Sequence, residues 1–148
     1  MRASTPSAYA ALWRYLFSVD LVRTVEHPHG SADDPLRHLL TDPRAWHSRP
    51  VDALWVRLVD VGAALSARRY PARIDLVLEV RDPFCDWNDG RWHLWGHPAG
   101  AFCDRTDRDP DLVLDVEALA AAYLGGVSLA ALQGAGRVTE VSPGAVVA

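Results

Sequence analysis

Apolar residues recur at helical spacing near the start of the chain. Tyr9, Leu12, Trp13, Leu16 and Phe17 fall at i, i+3, i+4, i+7 and i+8. This predicts one apolar stripe on a helix of about twelve residues. Thr5 followed by Pro6 supplies its N-cap and first helical position. Leu21 to Glu26 reads as a strand, and His27 to Ala32 as a linker. Asp33-Asp34-Pro35 opens a short helix carrying Leu36, Leu39 and Leu40, and Pro43 stops it. From Ala53 the period changes to two. Leu54, Val56 and Leu58 alternate with Trp55, Arg57 and Val59, a strand ending near Asp60. Val61 to Arg69 is helical in pattern. Ile74, Leu76, Leu78 and Val80 alternate with charged neighbours, as in a half-buried antiparallel strand. Asn88-Asp89-Gly90 supplies a turn whose glycine tolerates positive φ. Short strands at Trp92 to Gly96 and Ala101 to Arg105 follow, then one at Leu112 and Leu114. Asp115 caps a helix bearing Val116, Leu119, Ala120, Tyr123 and Leu124, which Gly125 closes in a left-handed conformation. Ser128 caps a last helix with Leu129 and Leu132 inward, and Gly136-Arg137-Val138 leads into a further strand. The class is α+β: a mostly antiparallel sheet of about five strands with helices packed on one face.

Composition narrows this only modestly. With 148 residues, 49% hydrophobic and 23% charged, the chain suits one domain with a real core. The net charge of −4 gives no broad basic face for nucleic acid. Every basic residue is Arg, a codon-usage signature with little functional content. The N-terminus has no signal-peptide pattern, and no apolar run approaches the roughly 20 residues of a membrane span. Two cysteines, Cys85 and Cys103, make no disulfide framework. A reduced cytoplasmic setting is the expectation.

Candidate chemistry is sparse. None of the six histidines forms HExxH, and His93 and His97, four apart on a strand, lie about 13 Å from each other. No metal site and no cofactor is expected. Asp104, Asp107, Asp109 and Asp111, interleaved with Arg105 and Arg108, miss the spacing of a calcium loop and read as a solvated turn. No GxSxG is present, and nothing in the local sequence marks Cys85 as activated by a cation. Gly125-Gly126 follows a helix rather than opening one, so it is no phosphate loop. Trp55, Trp87, Trp92 and Trp95 read as core and rim packing, with an aromatic wall for an apolar or cationic guest as the functional alternative.

An ordered set of short motifs carries more. It runs Leu12-Trp13-Arg14-Tyr15-Leu16, Asp20-Leu21-Val22, Asp34-Pro35-Leu36 and Leu54-Trp55-Val56-Arg57-Leu58-Val59-Asp60-Val61. It continues with Ala67-Arg68-Arg69-Tyr70, Asp82-Pro83-Phe84-Cys85, Trp87-Asn88, Gly90-Arg91-Trp92 and Ala122-Tyr123-Leu124-Gly125-Gly126. From about Ala11 to Val141 the chain resembles the sterol-carrier-protein-like domain that ends the enhanced intracellular survival (Eis-like) group of GNAT N-acetyltransferases. The resemblance implies two parts: residues 1–32, a helix and strand like the tail of a GNAT domain plus a linker, and residues 33–148, the sterol-carrier-like domain. It also implies that acetyl-CoA binding, the tyrosine acting as general acid and most of the acceptor pocket belong to the GNAT part. The family's active-site C-terminal carboxylate sits on a tail past the last strand, whereas this chain ends Gly144-Ala145-Val146-Val147-Ala148. Acetyl transfer by this chain alone is not expected.

Three readings follow. The first is a sterol-carrier-like part with a structural and substrate-pocket role, not catalytic alone. It would meet a GNAT partner, or a second copy, through Tyr9, Leu12, Trp13, Leu16 and Phe17, since burying one such side chain is worth roughly 1.5–3 kcal/mol. The second is a stand-alone binder of an apolar small molecule or lipid. Its pocket would comprise Trp55, Leu58, Asp60, Val61, Leu65, Leu119, Tyr123, Leu124 and Leu132. The third is a repurposed cyclase or tailoring enzyme using Asp60 or a His as acid or base. Asp60 is the carboxylate placed nearest an acceptor or ligand, where it could hold an ammonium; its alternative role is a helix N-cap.

Overall fold

The computed structural model describes residues 3–31, 33–52 and 54–146. Expectations placed on Met1, Arg2, Ala32, Ala53, Val147 and Ala148 lie outside the described residues. The chain divides into two compact units, Met1–Ala53 and Leu54–Ala148.

The first unit is built on α1 (Pro6–Phe17), which has the expected length and cap. Thr5 Oγ1 accepts the Ala8 N–H at 3.1 Å. Trp13 is buried, edge-on to Tyr9, stacked on Phe17 with centroids 5.4 Å apart, and tilted against His27. Asp34 caps a 3₁₀ turn at Pro35–His38, accepting the Leu36 N–H at 2.9 Å and the Tyr9 hydroxyl proton. Pro43 does not simply end a helix. It opens a second 3₁₀ turn, Pro43–Ala45, capped by Asp42, because proline suits a first helical position. The strand expected at Leu21 to Glu26 is absent. Leu21 turns with φ of 62°, exposed, and residues 22–26 have no neighbouring strand among the described residues.

The second unit holds a five-stranded sheet in the order β3-β2-β1-β4-β5. The strands are β1 (Ile74–Arg81), β2 (Gly90–His97), β3 (Gly100–Arg105), β4 (Leu112–Asp115) and β5 (Val138–Glu140). All neighbours are antiparallel except β1 and β4. The register lines up the apolar alternation. Leu76 faces Leu94, which faces Cys103; Leu78 lies between Trp92 and Leu112; and Val80 faces Leu114, which faces Val138. Side chains on a strand alternate in direction, so these fall on one face. That face packs with α2 (Val61–Ser66), α3 (Val116–Tyr123) and α4 (Leu129–Gly134) in a single core. Asp111 secures the parallel junction. Its carboxylate accepts the Val77 N–H at 2.7 Å, and its own N–H donates to the Val77 carbonyl at 2.8 Å.

Four local expectations are corrected. The strand expected at Leu54 to Asp60 is not paired to any other among the described residues. The helix expected to Arg69 stops at Ser66, whose Oγ accepts the Cys103 N–H instead. Asp115 occupies the N-cap of α3, but its side chain makes no capping hydrogen bond. Trp92 and Trp95 do not share a wall, because an odd spacing on β2 sends them to opposite faces; Trp92 enters the core and Trp95 stacks on Phe102 outside it. Gly125, with φ of 78°, closes α3 in the left-handed region as expected.

The contact of α2 with the sheet leaves no room for a methyl group at Gly62. A Cβ there would sit 2.6 Å from Trp92 Cζ3 and 3.0 Å from the Cys103 carbonyl oxygen. Gly62→Ala is expected to cost about 1–3 kcal/mol by overpacking, read by urea denaturation. Gly100→Ala, with open space around it, is expected to leave the midpoint unchanged.

Candidate functional site

The segment Asp82-Pro83-Phe84-Cys85-Asp86-Trp87-Asn88-Asp89 links β1 to β2 and folds around two buried polar side chains. Asp82 follows the last residue of β1 and its carboxylate is fully covered. Its Oδ1 accepts the N–H groups of Phe84 and Cys85 at 3.1 and 3.0 Å, the local pattern by which Asp closes a turn after a fixed-φ proline. The same oxygen takes Arg57 Nη2 at 2.6 Å. Oδ2 accepts Asn88 Nδ2 at 3.0 Å. Asn88, also buried, accepts the Val61 N–H at 3.0 Å through Oδ1 and donates to the Leu58 and Val59 carbonyls at 3.2 Å each. Every one of these bonds beyond the turn itself crosses to residues 57–61. An isolated buried carboxylate is costly, and only such pairing makes it tolerable.

The same turn is held from outside. Trp92 Nε1 donates to the Asn88 carbonyl at 2.8 Å, and Trp87 Nε1 to the Val59 carbonyl at 2.8 Å. Arg105 lies over the Trp92 ring at 4.1 Å and donates to the Asp89 and Trp87 carbonyls. Gly90, at φ of 121°, lets β2 begin against this guanidinium. Burial by itself would raise the Asp82 carboxyl. Hydrogen bonds from Asn88, the Cys85 N–H, Arg57 and the Phe84 N–H outweigh it and bring the group down to about 2.

The residues singled out from sequence are placed as follows. Asp60 is exposed and caps α2, its Oδ1 accepting the Ala63 N–H at 2.8 Å. Leu58, Val61, Leu65 and Leu119 are buried in the core, and Tyr123 and Leu132 pack partly buried against it. Leu124 and Trp55 are exposed. In the first unit Trp13 is buried, Tyr9 and Leu16 are half-buried, and Leu12 and Phe17 are exposed. Two open surface clefts are lined mainly by charged residues. One of about 410 Å³ is lined by Arg91, Arg105, Thr106 and Asp107. The other, of about 540 Å³, runs along Glu79, Arg81, Asp82, Asp89, Arg91 and Asp115, with Val80, Pro83 and Gly90 between them. The apolar set lines neither.

Cys85 is buried in the turn closed by Asp82, whose carboxylate Arg57 also reaches. Burial, with Asp104 and Asp60 adding to it, pushes the Cys103 thiol up to about 12, far from a nucleophile's range. His93 Nε2 meets Asp75 Oδ1 at 2.8 Å. Within the aspartate-rich turn, Asp109 pairs with Arg91 and Asp111 joins β1 to β4. Among the described residues no three His, Cys, Asp or Glu side chains converge as metal ligands, and no helix is long and apolar enough to cross a membrane. Sequence reasoning did not single out Asp82 and Asn88. The signal was there in a carboxylate and an amide bracketing a Pro-containing turn between two apolar strands.

Comparison with known proteins adds family information. Residues 61–148 match the model of the sterol carrier protein domain, and residues 1–60 that of the acetyltransferase (GNAT) domain. An uncharacterized N-acetyltransferase of Streptomyces avermitilis is 52% identical over 146 residues, covering 99% of this chain and 36% of that protein. The N-acetyltransferase Eis of Mycobacterium tuberculosis is 36% identical, covering 93% of this chain and 34% of that protein. The crystal structure of Eis1 from Mycobacterium abscessus superposes with a TM-score of 0.79 at 41% identity, over 99% of this chain and 37% of that one. The chain thus spans about a third of the length of these relatives.

The Asp82 clamp has a signed pH dependence. Its folded value, about 2, lies below the ordinary carboxylate value near 4. Its contribution to stability is therefore complete above about pH 4 and is lost as pH falls through about 2. In Asp82→Asn the decline of stability over that interval should be shallower than in the wild type, measured by urea titration at stepped pH. Asn88→Ala, which strips partners from the buried Val61 N–H and from Asp82, should cost about 3 kcal/mol at neutral pH.

Proposed function

The chain belongs to the sterol carrier protein domain family in its Eis-like N-acetyltransferase form, and we propose that it serves as a structural and substrate-pocket part beside an acetyltransferase (GNAT) domain. In this reading the chain does not transfer acetyl groups on its own. The observation that carries it is the state of the apolar set. Leu58, Val61, Leu65 and Leu119 are packed together with the inward face of the sheet, Trp92 and Val116 among them. A packed interior of this kind is scaffold, since close-packed side chains leave no room for a guest without rearrangement. Both carboxylates considered are already engaged, Asp82 by its turn and Asp60 by the N-cap of α2.

The reading as a stand-alone carrier of an apolar small molecule needs the same side chains drawn apart around a cavity. The reading as a tailoring enzyme draws no support from Asp60, which lies at the exposed start of α2. The partner proposed is the acetyltransferase domain whose sequence signature reaches residue 60. Leu12 and Phe17, exposed on α1, remain the contact proposed for the N-terminal helix.

Incubation of the isolated chain with acetyl-CoA and a panel of primary amines, followed by release of free thiol, is expected to show no rate above the uncatalysed one. Turnover by the isolated chain would overturn the reading. Titration with fatty acyl and polycyclic compounds, followed by tryptophan fluorescence, is expected to give no saturable change; a saturable one would favour the carrier instead.

A further inference from the structure

Arg105 is a fixed cation without a counter-charge. It is the last residue of β3, and three contacts hold its side chain. Nη1 donates to the Asp89 carbonyl at 2.6 Å, Nη2 donates to the Trp87 carbonyl, and the guanidinium lies 4.1 Å from the centre of the Trp92 ring. Trp92 is itself buried and bonded to the Asn88 carbonyl. These partners are neutral. Among the described residues no carboxylate comes within ion-pair distance of Arg105. Neighbouring acidic groups are engaged elsewhere: Asp89 Oδ1 accepts the Asp82 N–H, and Glu79 and Asp109 pair with Arg91. A free arginine loses rotamer freedom when it grips an anion. Arg105 has already lost it, so binding costs little further entropy.

Arg105 does not stand alone. It lines the cleft of about 410 Å³ together with Arg91, Thr106 and Asp107. That volume falls within the roughly 300–1,000 Å³ of small-molecule sites. The sheet sets these residues side by side, since the Thr106 N–H donates to the Arg91 carbonyl at 3.2 Å. Arg91 is also held, by Glu79 through Nε and by the Asp107 and Arg108 carbonyls and Asp109 through Nη1. Among the described residues these bonds leave Arg91 Nη2 and Arg105 Nε without an acceptor. The Thr106 hydroxyl accepts the Arg108 N–H at 3.3 Å, which leaves its own proton to donate. Asp107 is the one carboxylate lining the cleft; it is exposed.

We propose that this cleft binds the phosphate group of a soluble small molecule, with Arg105 as the main contact and Arg91 and Thr106 completing the grip. Two separate guanidinium planes and a hydroxyl suit an acceptor with three oxygens better than a carboxylate, which fills a single fork. The surroundings select a small anion over a large one. Asp104, Asp107, Asp109 and Asp111 flank the cleft in sequence, and the chain carries a net charge of −4. An extended polyanion, such as a nucleic acid or an anionic membrane, meets that repulsion, whereas a single phosphate meets chiefly the two arginines. The inference goes beyond the proposed function and does not rest on it.

The test is titration of this chain with inorganic phosphate and with pyrophosphate at constant ionic strength, followed by nitrogen-15 NMR. The Arg105 Nε–H signal, identified by its loss in Arg105→Gln, is expected to shift saturably with a midpoint of about 1 mM. Binding to the variants is read from the backbone amides of Thr106 and Asp107. Arg105→Gln should weaken it about tenfold. Asp107→Asn removes the one repelling carboxylate of the cleft and should tighten it about threefold. Arg105 also braces the turn at residues 87–89, so Asp107→Asn decides the matter if Arg105→Gln does not fold. Absence of a saturable shift up to about 20 mM phosphate overturns the inference. So does an affinity that Asp107→Asn leaves unchanged. Co-sedimentation with phosphatidic acid vesicles, without a response to soluble phosphate, overturns the choice of occupant.

Discussion

The second unit depends on one buried pair, the Asp82 carboxylate and the Asn88 amide. Between them they satisfy two N–H groups of their own turn, one N–H at the head of α2, two carbonyls of the preceding segment and one guanidinium. A charge taken out of water is tolerated only where its acceptor capacity is used. Here every bond it makes also fixes geometry. The turn sets the register of β1 against β2, and the bonds to residues 57–61 set the height at which α2 lies on the sheet. Remove either side chain and the other is left buried without its partner.

From that anchor the core assembles with little freedom. The backbone of Gly62 must approach Trp92 closely, so α2 cannot shift without a clash. Trp92 in turn donates to the Asn88 carbonyl and lies under Arg105. The sterol-carrier-like architecture is therefore present with its interior filled by Leu58, Val61, Leu65 and Leu119. This filling connects fold to proposed role. A domain whose apolar side chains pack against one another in this way suits the proposed role of holding other elements in place.

The hairpins were legible. Period-two alternation at residues 74–80 and the Asn-Asp-Gly turn imply β1 and β2, and the glycine-bounded helices α3 and α4 follow from their capping residues. The family resemblance was legible from the ordered motifs. Residues 54–60 carry the alternation of a strand but have no paired neighbour among the described residues, because alternation reports two faces and not whether a neighbour supplies hydrogen bonds. Leu21 to Glu26 likewise has no neighbouring strand among the described residues. Asp60 had two chemically sound roles, ligand carboxylate and N-cap, and only the position of the Ala63 N–H distinguishes them. The opposed faces of Trp92 and Trp95 follow from their odd spacing on one strand.

What the sequence by itself determined were the quantities set by neighbours along the chain: strand period, turn chemistry, helix caps and family. These depend on local backbone preference and on the spacing of apolar side chains. Tertiary structure alone decided the parallel joining of β1 to β4 through Asp111, the burial of Trp13 against His27 and the packing of Leu58, Val61, Leu65 and Leu119 in one core. Each of these turns on which distant group arrives to fill a hydrogen bond or a cavity. Partners separated by tens of residues leave no periodic mark on the chain that has to meet them.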